Sequence, residues 1–520
     1  MIRRTCLLAV LVGAALALSA CASDDGGGTD SAAASAPSAD LAASEDRCAS
    51  DPVDGFGFDA YGGWKGETRP ATGRFTVAEQ GGRWWFFTPA GNAFYANGPT
   101  GIDSAGDTIG DTDRSPYNEA ILARHGSTEA WAAATLDRLC DLGMHNVGGW
   151  ISVEEVQAWP ERIPYTANVD LYRALPAVTT GPPALRPRVD PFVPDAAALL
   201  DTALAGSDAE RCAADDWCLG TFVENEVPYA PNITAAGSHL DVYLSQPPDA
   251  PGKAALQDFF EAEYGGVAAF NDVWGTALAD WAQFQQLTSL GDCPPAGGLA
   301  DEACLIGEPR TRTLDRFAFE AVVAGRVATL ADEALDRLNP EILNLGPRLV
   351  AGPTTVEVLQ AMAAPVDVVS VNDYDAEELV GAMLTPAIST ALDEMHVFAL
   401  DPFERLDDIA EITGKPVFVS EWFYRQARPG MASIPVGLPE RPDAESRAAA
   451  VEEFVGELLV RPNVVGFAWF QWQDQPIEGR GDGENQLIGI VDVDDDLNQP
   501  LADILARLNA DIIPTRASPP

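Results

Sequence analysis

The chain has 520 residues, of which 47% are hydrophobic, and its formal net charge is −47 at pH 7. The hydrophobic content is enough for a sizeable buried core. The excess of acidic residues argues against nucleic acids and other polyanions as partners, because a phosphate backbone requires clustered Lys and Arg. An uncharged partner, or a salty medium, suits this charge better.

The first 20 residues have the pattern of a secretory signal, with Arg3 and Arg4 followed by an apolar run that is too short to span a bilayer stably. The sequence LSAC at 18–21 resembles a bacterial lipobox and predicts lipidation of Cys21; an ordinary signal with an incidental cysteine is the alternative. Residues 21–52 are rich in Ala, Ser, Gly and Asp and are predicted to be a flexible linker. We therefore expect an exported protein that is anchored to the bacterial cell envelope and touches the membrane through this lipid only.

Six further cysteines lie beyond the signal, and an even number in an exported chain predicts disulfides. The two closest spacings define two pairs, and the remaining two cysteines form the third. The predicted pairs are Cys48–Cys140, Cys212–Cys218 and Cys293–Cys304. A metal site is the alternative, but no C-x-x-C occurs and the four histidines are scattered. We predict neither a bound metal nor a cofactor.

The remaining chain predicts an α/β protein. Residues 53–92 alternate polar and apolar positions between glycine turns, which predicts a β-rich lead-in of two or three antiparallel strands. From 93 to 512, apolar runs alternate with helical stretches. The runs lie near 93–97, 145–150, 163–171, 218–226, 342–350, 366–375, 416–424 and 464–472. Eight strands with helical crossovers predict a (β/α)8 TIM barrel, and the stretch after the fourth strand is predicted to be a long helical insertion. A doubly wound open sheet is the rival, but no Gly-rich phosphate loop follows a strand.

The residues at the carboxyl ends of these strands carry the chemistry, because in such a barrel they face the active-site mouth. They are Trp150, Glu224, Asn225, Glu226, Arg348, Asn372, Asp373, Tyr374, Glu421, Trp469, Gln471 and Asp474. Indoles stack on sugar rings, amides bind hydroxyls, and paired carboxylates cleave acetals. Neither G-x-S-x-G nor H-E-x-x-H occurs. The pattern predicts glycoside hydrolysis; solvated strand-end charges with ordinary salt-bridge partners are the alternative.

Retaining cleavage requires an acid and an ionised nucleophile whose carboxyl groups lie about 5–5.5 Å apart. Strands four and seven lie nearly opposite each other in a ring of eight, so Glu226 and Glu421 can face each other across the mouth. Asn225 is placed to bind the sugar 2-hydroxyl. Glu224 competes for the acid role, since strand alternation puts positions 224 and 226 on the same side of an ideal strand.

Several segments resemble the β-agarase-like glycoside hydrolases of the large retaining barrel clan. They are TFVENE, VDVVSVNDYD, KPVFVSEWFY and the run from GFAWFQWQDQP to DLNQPL. In that clan an Asn-Glu pair ends strand four and a Glu ends strand seven. The resemblance therefore implies Glu226 as acid/base and Glu421 as nucleophile. The predicted substrate-binding residues are Trp150, Asn225, Arg348, Asn372, Tyr374, Trp469, Gln471 and Asp474. This chain has Glu224 where the family more usually has Asp. Near strand two it has the apolar sequence VGGW where the family has a more polar one. These two differences leave the identity of the polysaccharide substrate undecided.

The predicted function is retaining hydrolysis of a neutral galactose-containing polysaccharide or oligosaccharide, agarose-like by resemblance. Two alternatives stay open: an inactive surface glycan-binding lipoprotein, and the same chemistry on another β-galactoside, a galactofuranoside or a mannan. Near the C-terminus, Asp492, Asp494 and Asp496 are spaced like the start of an EF-hand loop, but Leu497 replaces the expected glycine. We predict a solvated turn there, with calcium as the alternative.

Overall fold

The computed structural model describes residues 47–48, 52–179, 187–227, 229, 238–290, 309–350, 355–374, 401–435 and 438–518. The predicted signal, Cys21, almost all of the predicted linker and the predicted Cys293–Cys304 pair lie outside these residues. Within them, no helix has both the length and the apolar character needed to cross a bilayer.

An antiparallel sheet opens the described chain. Its strands are β1 (Trp64–Thr68), β2 (Thr76–Gln80), β3 (Arg83–Phe87) and β4 (Asn92–Phe94), in the order β1-β4-β3-β2. Asp59, which is buried, holds one edge by accepting hydrogen bonds from the Thr88 hydroxyl at 2.6 Å and the Asn92 amide at 2.7 Å. The lead-in thus has four strands rather than the predicted two or three, because the start of the run that was expected to open the barrel forms β4 and pairs with β1.

Parallel strands follow. They are β5 (Tyr165–Asn168), β6 (Cys218–Phe222), β7 (Glu224–Asn225), β8 (Pro347–Val350), β9 (Val369–Asn372), β10 (Val417–Trp422) and β13 (Val464–Trp469). Five of them form a sheet in the order β13-β10-β9-β8-β7, and β5 pairs with β6. All six residues of β10 and of β13 are buried, which explains their nearly continuous apolar sequence. The fold is therefore α/β with parallel strands.

Isolated parallel bridges extend these pairings. They join Ala96 to Gly466, Pro99 to Trp469, Val147 to Tyr165 and Thr221 to Asn344. Two short strands, β11 (Arg425–Gln426) and β12 (Glu440–Arg441), pair separately after β10. The antiparallel sheet packs near the start of β10, where the Phe86 and Phe418 ring centroids lie 6.1 Å apart. Every apolar run that was predicted to form a strand carries either a strand or a bridge.

Helices connect the strands. They are α1 (Pro116–His125), α2 (Thr128–Asp141), α3 (Val153–Gln157), α4 (Ala196–Leu204), α5 (Asp208–Ala213), α6 (His239–Leu244), α7 (Pro251–Tyr264), α8 (Val267–Trp274), α9 (Arg310–Leu338), α10 (Val356–Ala363), α11 (Pro402–Thr413), α12 (Ala444–Val460), α13 (Leu501–Ala510) and α14 (Ile512–Arg516). Serine hydroxyls cap several of them; Ser127, for example, accepts the Ala130 N–H at the start of α2.

The helices α6, α7 and α8 lie between β7 and β8 in the chain, where a helical insertion was predicted. Phe260 on α7 packs on Phe270, Trp274 and Phe284 at centroid distances between 4.9 and 5.7 Å. Phe259 contacts Phe319 of α9 at 5.4 Å. The aromatic residues of this segment therefore form a core against the long helix α9.

Two disulfides brace the described chain. One joins Cys48 to Cys140 near the end of α2, and the other joins Cys212 of α5 to Cys218 of β6. Both are pairs that the spacing of the cysteines predicts.

Candidate active site

The stretch Glu224-Asn225-Glu226 does not continue as an ideal strand. β7 ends at Asn225, and Glu226 has a φ of 51°, in the left-handed region. Its N–H donates to the Arg348 carbonyl at 2.8 Å. Strand alternation therefore fails at this point, and the expectation that positions 224 and 226 share one side does not hold.

Glu224 and Glu226 are both buried but face different neighbours. Burial, together with Tyr172 and the Glu224 charge, raises the pKa of Tyr229 well above its usual value. Burial, together with the charges of Glu421 and Glu226, does the same to the pKa of Tyr374. Glu226 thus shares surroundings with Glu421, and Glu224 belongs to a separate group beside Tyr172 and Tyr229.

Glu421 lies near the end of β10, opposite Asn372 of β9 in the strand register. Its Oε1 accepts a hydrogen bond from the Trp150 indole and lies 2.8 Å from Nη2 of Arg348. Its Oε2 accepts the Tyr374 hydroxyl at 2.5 Å. Three donors from three different segments therefore converge on one buried carboxylate, and its ionised form accepts all of them.

Arg348 on β8 supplies the cation. Its side chain is fully buried, and its Nη2 also donates to the Ser420 carbonyl at 2.9 Å. The guanidinium lies over the rings of Trp150 and Phe222, at 4.9 and 5.0 Å from their centroids. The two ring faces add cation–π attraction and fix the plane of the Arg348 guanidinium beside Glu421.

Asn372 links the two carboxylate-bearing strands. Its Nδ2 donates to Oε1 of Glu226 at 3.0 Å and to Oδ1 of Asn225 at 3.1 Å. Its Oδ1 accepts the Ser420 hydroxyl at 2.9 Å. Because Ser420 immediately precedes Glu421, this amide connects the end of β7 to the strand that carries the second carboxylate.

Trp150 reaches Glu421 from a tight turn. It has a φ of 58°, and Gly149 before it packs so closely that a Cβ there would lie 2.5 Å from Oδ1 of Asn168. Glycine at position 149 is thus a steric requirement of this turn, since a side chain there would displace that of Asn168. The indole that results is half-buried and contacts both Glu421 and Arg348.

Seven predicted site residues therefore meet through direct contacts: Trp150, Asn225, Glu226, Arg348, Asn372, Tyr374 and Glu421. The other three bond elsewhere among the described residues. Trp469 is fully buried and donates its indole N–H to the Ile488 carbonyl at 2.8 Å. Gln471 donates to Asp107 at 2.7 Å, and Asp474 accepts the Gly489 N–H at 2.7 Å.

Asp474 is buried in the segment that follows β13, and burial raises its pKa to about 6. Its second oxygen accepts the Asn498 amide at 3.1 Å. These contacts join the segment after β13 to Gly489 and Asn498 further along the chain.

Sequence reasoning missed Ser420, Phe222 and Asp107. The position of Ser420 could have been recognised from the sequence, because it directly precedes Glu421 in VSEW. Phe222 and Asp107 could not, since their contacts with Arg348 and Gln471 join residues more than a hundred positions apart.

The acidic run near the C-terminus forms the predicted turn. Asp492 accepts the N–H groups of Asp494 and Asp496, both at 2.9 Å. Asp495, which lies between Asp494 and Asp496, is buried and pairs with Arg138 at 2.6 Å. The described part of the chain contains no group of three or more His, Cys, Asp or Glu side chains that could hold a metal ion.

No protein-family model matches this sequence. Two curated proteins from Vibrio sp. (strain JT0107) do. β-Agarase B is 23% identical over 518 residues, which cover 87% of this chain and 50% of the relative. β-Agarase A is 26% identical over 490 residues, which cover 84% of this chain and 45% of the relative. The chain is homologous to β-agarases. It spans about half the length of these two curated relatives.

Solved structures share the fold of this β-agarase homologue. An agarase, AgWH50C, superposes with a TM-score of 0.71 at 22% identity, over 89% of this chain and 68% of the agarase. An exo-β-agarase superposes with a TM-score of 0.70 at 22% identity, over 88% of this chain and 67% of the enzyme. At this identity the likeness concerns the fold.

Proposed function

We propose that this β-agarase homologue is a retaining β-glycoside hydrolase with Glu421 as the nucleophile and Glu226 as the general acid/base. The observation that carries the proposal is the single buried network that contains both carboxylates. Arg348, Trp150 and Tyr374 donate to Glu421, and Asn372 donates to Glu226. A retaining mechanism needs two such carboxyl groups in different surroundings.

We propose in addition that the parallel strands close into an eight-stranded (β/α)8 barrel. The bridges from Ala96 and Pro99 to β13, from Val147 to β5 and from Thr221 to Asn344 support this closure. So does the hydrogen bond of 2.7 Å from the Gly148 N–H to the Pro99 carbonyl. Such a ring would bring the ends of β7 and β10 to the same mouth.

The proposed reaction has two steps. In the first, a carboxylate oxygen of Glu421 attacks the anomeric carbon, the glycosidic C–O bond breaks, and Glu226 gives its proton to the departing oxygen. In the second, Glu226 takes a proton from water, and the hydroxide oxygen bonds to the anomeric carbon as Glu421 leaves. Asn225, which is held by Asn372, is placed to bind the sugar 2-hydroxyl.

We propose agarose, or its oligosaccharides, as the substrate, because both curated relatives carry the name β-agarase. The neutral polymer also agrees with the net charge of −47. Export and anchoring through a lipid at Cys21 complete the proposal; they rest on the sequence pattern of the N-terminus.

The test combines activity with leaving-group chemistry. Glu421→Ala should abolish release of reducing ends from agarose, and azide should restore part of the activity on an activated aryl glycoside with inverted products. Glu226→Ala should lower kcat/KM on agarose by roughly 10²- to 10⁴-fold and largely spare 2,4-dinitrophenyl β-galactoside, which needs no proton.

The control is Glu224→Gln, which removes the other carboxylate charge of this stretch, two residues away. It should lower activity on agarose far less than Glu226→Ala. Loss of agarose turnover in Glu224→Gln with near wild-type turnover in Glu226→Ala would reverse the assignment of the acid. Binding of agarose without any turnover by the wild-type protein would instead indicate a glycan-binding protein.

A further inference from the structure

Ser420 links the two carboxylates within this buried network. Its hydroxyl donates to Oδ1 of Asn372 at 2.9 Å. Its carbonyl accepts Nη2 of Arg348 at 2.9 Å, and the same Nη2 contacts Glu421. The Ser420 side chain is therefore connected to Glu226 through Asn372, and the Ser420 backbone is connected to Glu421 through Arg348.

We propose that Ser420 is a positioning residue for general acid/base catalysis: its hydroxyl holds the Asn372 amide with the NH₂ group facing Glu226. The inference rests on the proposed role of Glu226. It adds a residue that touches neither the sugar nor the reacting atoms and acts through Asn372.

The donors and acceptors around Asn372 allow only one orientation of its side-chain amide. Its two N–H hydrogens are used by Glu226 and Asn225, and its oxygen is used by Ser420. Rotating the amide by half a turn would place its oxygen against Oδ1 of Asn225 and against Oε1 of Glu226, which is also an acceptor when Glu226 is ionised. Asn372 and Ser420 are 0% and 1% exposed, so bulk water cannot replace a lost partner.

The hydrogen bonds also transmit an effect from Ser420 through Asn372 to Glu226. The hydroxyl polarises the amide oxygen, which makes the amide N–H groups better donors. These groups donate to the ionised form of Glu226 and favour it. Removing the hydroxyl should therefore make Glu226 release its proton less readily and leave the amide free to rotate. Both effects alter proton transfer at Glu226 without touching the three donors on Glu421.

The test compares two serine-to-alanine variants. Ser420→Ala removes the hydroxyl in question. Ser370→Ala is the control, because Ser370 is equally buried, lies on β9 two residues before Asn372, and donates its hydroxyl to the Leu345 carbonyl at 2.6 Å. Both variants lose one buried hydrogen bond, so a purely structural role predicts similar effects for the two.

We expect Ser420→Ala to lower kcat/KM on agarose by about 5- to 10-fold, the value of one hydrogen bond, and on 2,4-dinitrophenyl β-galactoside by less than about twofold. The basic limb of its pH profile should move to higher pH by up to about one unit. Ser370→Ala should show neither the contrast between substrates nor the movement of the limb. Ser420→Thr, which keeps the hydroxyl, should restore both.

A second measurement separates this idea from the proposed function. In the Glu226→Ala background, Ser420→Ala should have a much smaller effect on agarose, because its route through Glu226 is gone and only the hold of Asn372 on Asn225 is left to lose. If Glu226→Ala shows the contrast between substrates but Ser420→Ala behaves like Ser370→Ala, the positioning role is wrong and the proposed function stands. If Glu226→Ala itself shows no such contrast, the proposed function fails and the inference fails with it.

Discussion

Replacing Arg348 with methionine should lower the free energy of unfolding, because it breaks the buried ion pair between Arg348 and Glu421. The side chains of Arg348 and Glu421 are 0% and 6% exposed, and their closest atoms lie 2.8 Å apart. Methionine fills much of the same space without the charge. Glu421 would then remain as a buried carboxylate whose remaining donors, Trp150 and Tyr374, are both neutral.

The expected loss is large. Removing one partner of a buried ion pair costs about 3–5 kcal/mol, because the other charge stays desolvated and uncompensated. Losing the stacking on Trp150 and Phe222 adds roughly 1 kcal/mol for each ring. Glu421→Gln removes the other charge, so the double variant has no unpaired charge. It should be more stable than the sum of the single losses predicts, by about 2 kcal/mol.

Urea unfolding followed by tryptophan fluorescence at pH 7 measures the four free energies of this cycle. Arg516→Met is the matched control. Arg516 is also buried between two rings, 4.8 Å from Trp85 and 4.7 Å from Tyr95, but donates to backbone carbonyls. Its combination with Glu421→Gln should be additive. If Arg348→Met with Glu421→Gln is also additive within about 0.5 kcal/mol, the charges are not coupled and the reasoning is refuted.

Three further outcomes are expected. Burial raises the folded-state pKa of Asp474 from 3.8 to about 6, so the folded state holds this proton more tightly than the unfolded chain. The free energy of unfolding of the wild type relative to Asp474→Asn should therefore rise by roughly 1 kcal/mol from pH 7 to pH 5, and a flat difference in urea titrations would contradict this. Replacing Cys48 and Cys140 with alanine opens a loop with a sequence separation of 92 and should lower unfolding stability by about 2–4 kcal/mol, whereas an unchanged urea midpoint would exclude a stabilising role. Cys21→Ser should abolish lipid labelling and membrane fractionation, and retention of both would disprove the lipobox.

The positions of the strand ends could be predicted because apolar runs stop where the chain reaches the polar rim. Asn372 and Glu421 were found in this way, and the structure places them as direct register partners on β9 and β10. The disulfides Cys48–Cys140 and Cys212–Cys218 could be predicted from spacing and parity alone. For the strand ends the local sequence contains the physical reason, and for Cys48–Cys140 the even number of cysteines supplies it.

The orientation of individual side chains could not be predicted. Glu226 and Trp150 have left-handed backbones. The Glu226 N–H donates to the Arg348 carbonyl, and Gly149 before Trp150 packs on Asn168, so both segments contact residues distant in sequence. Trp469 was expected at the rim, yet its indole bonds to Ile488 and packs on Trp422 at 4.9 Å. Strand position decides how far along the sheet a residue lies, and only packing decides which way its side chain turns.

The disulfide between Cys48 and Cys140 also has a mechanical consequence. It fastens the N-terminal end of the described chain to the last turn of α2, so a pull on the N-terminus is borne by a covalent bond to the folded body. If Cys21 carries the lipid, Cys48 is the pivot of the anchored protein. The attachment point of the folded body would then be set by this one disulfide.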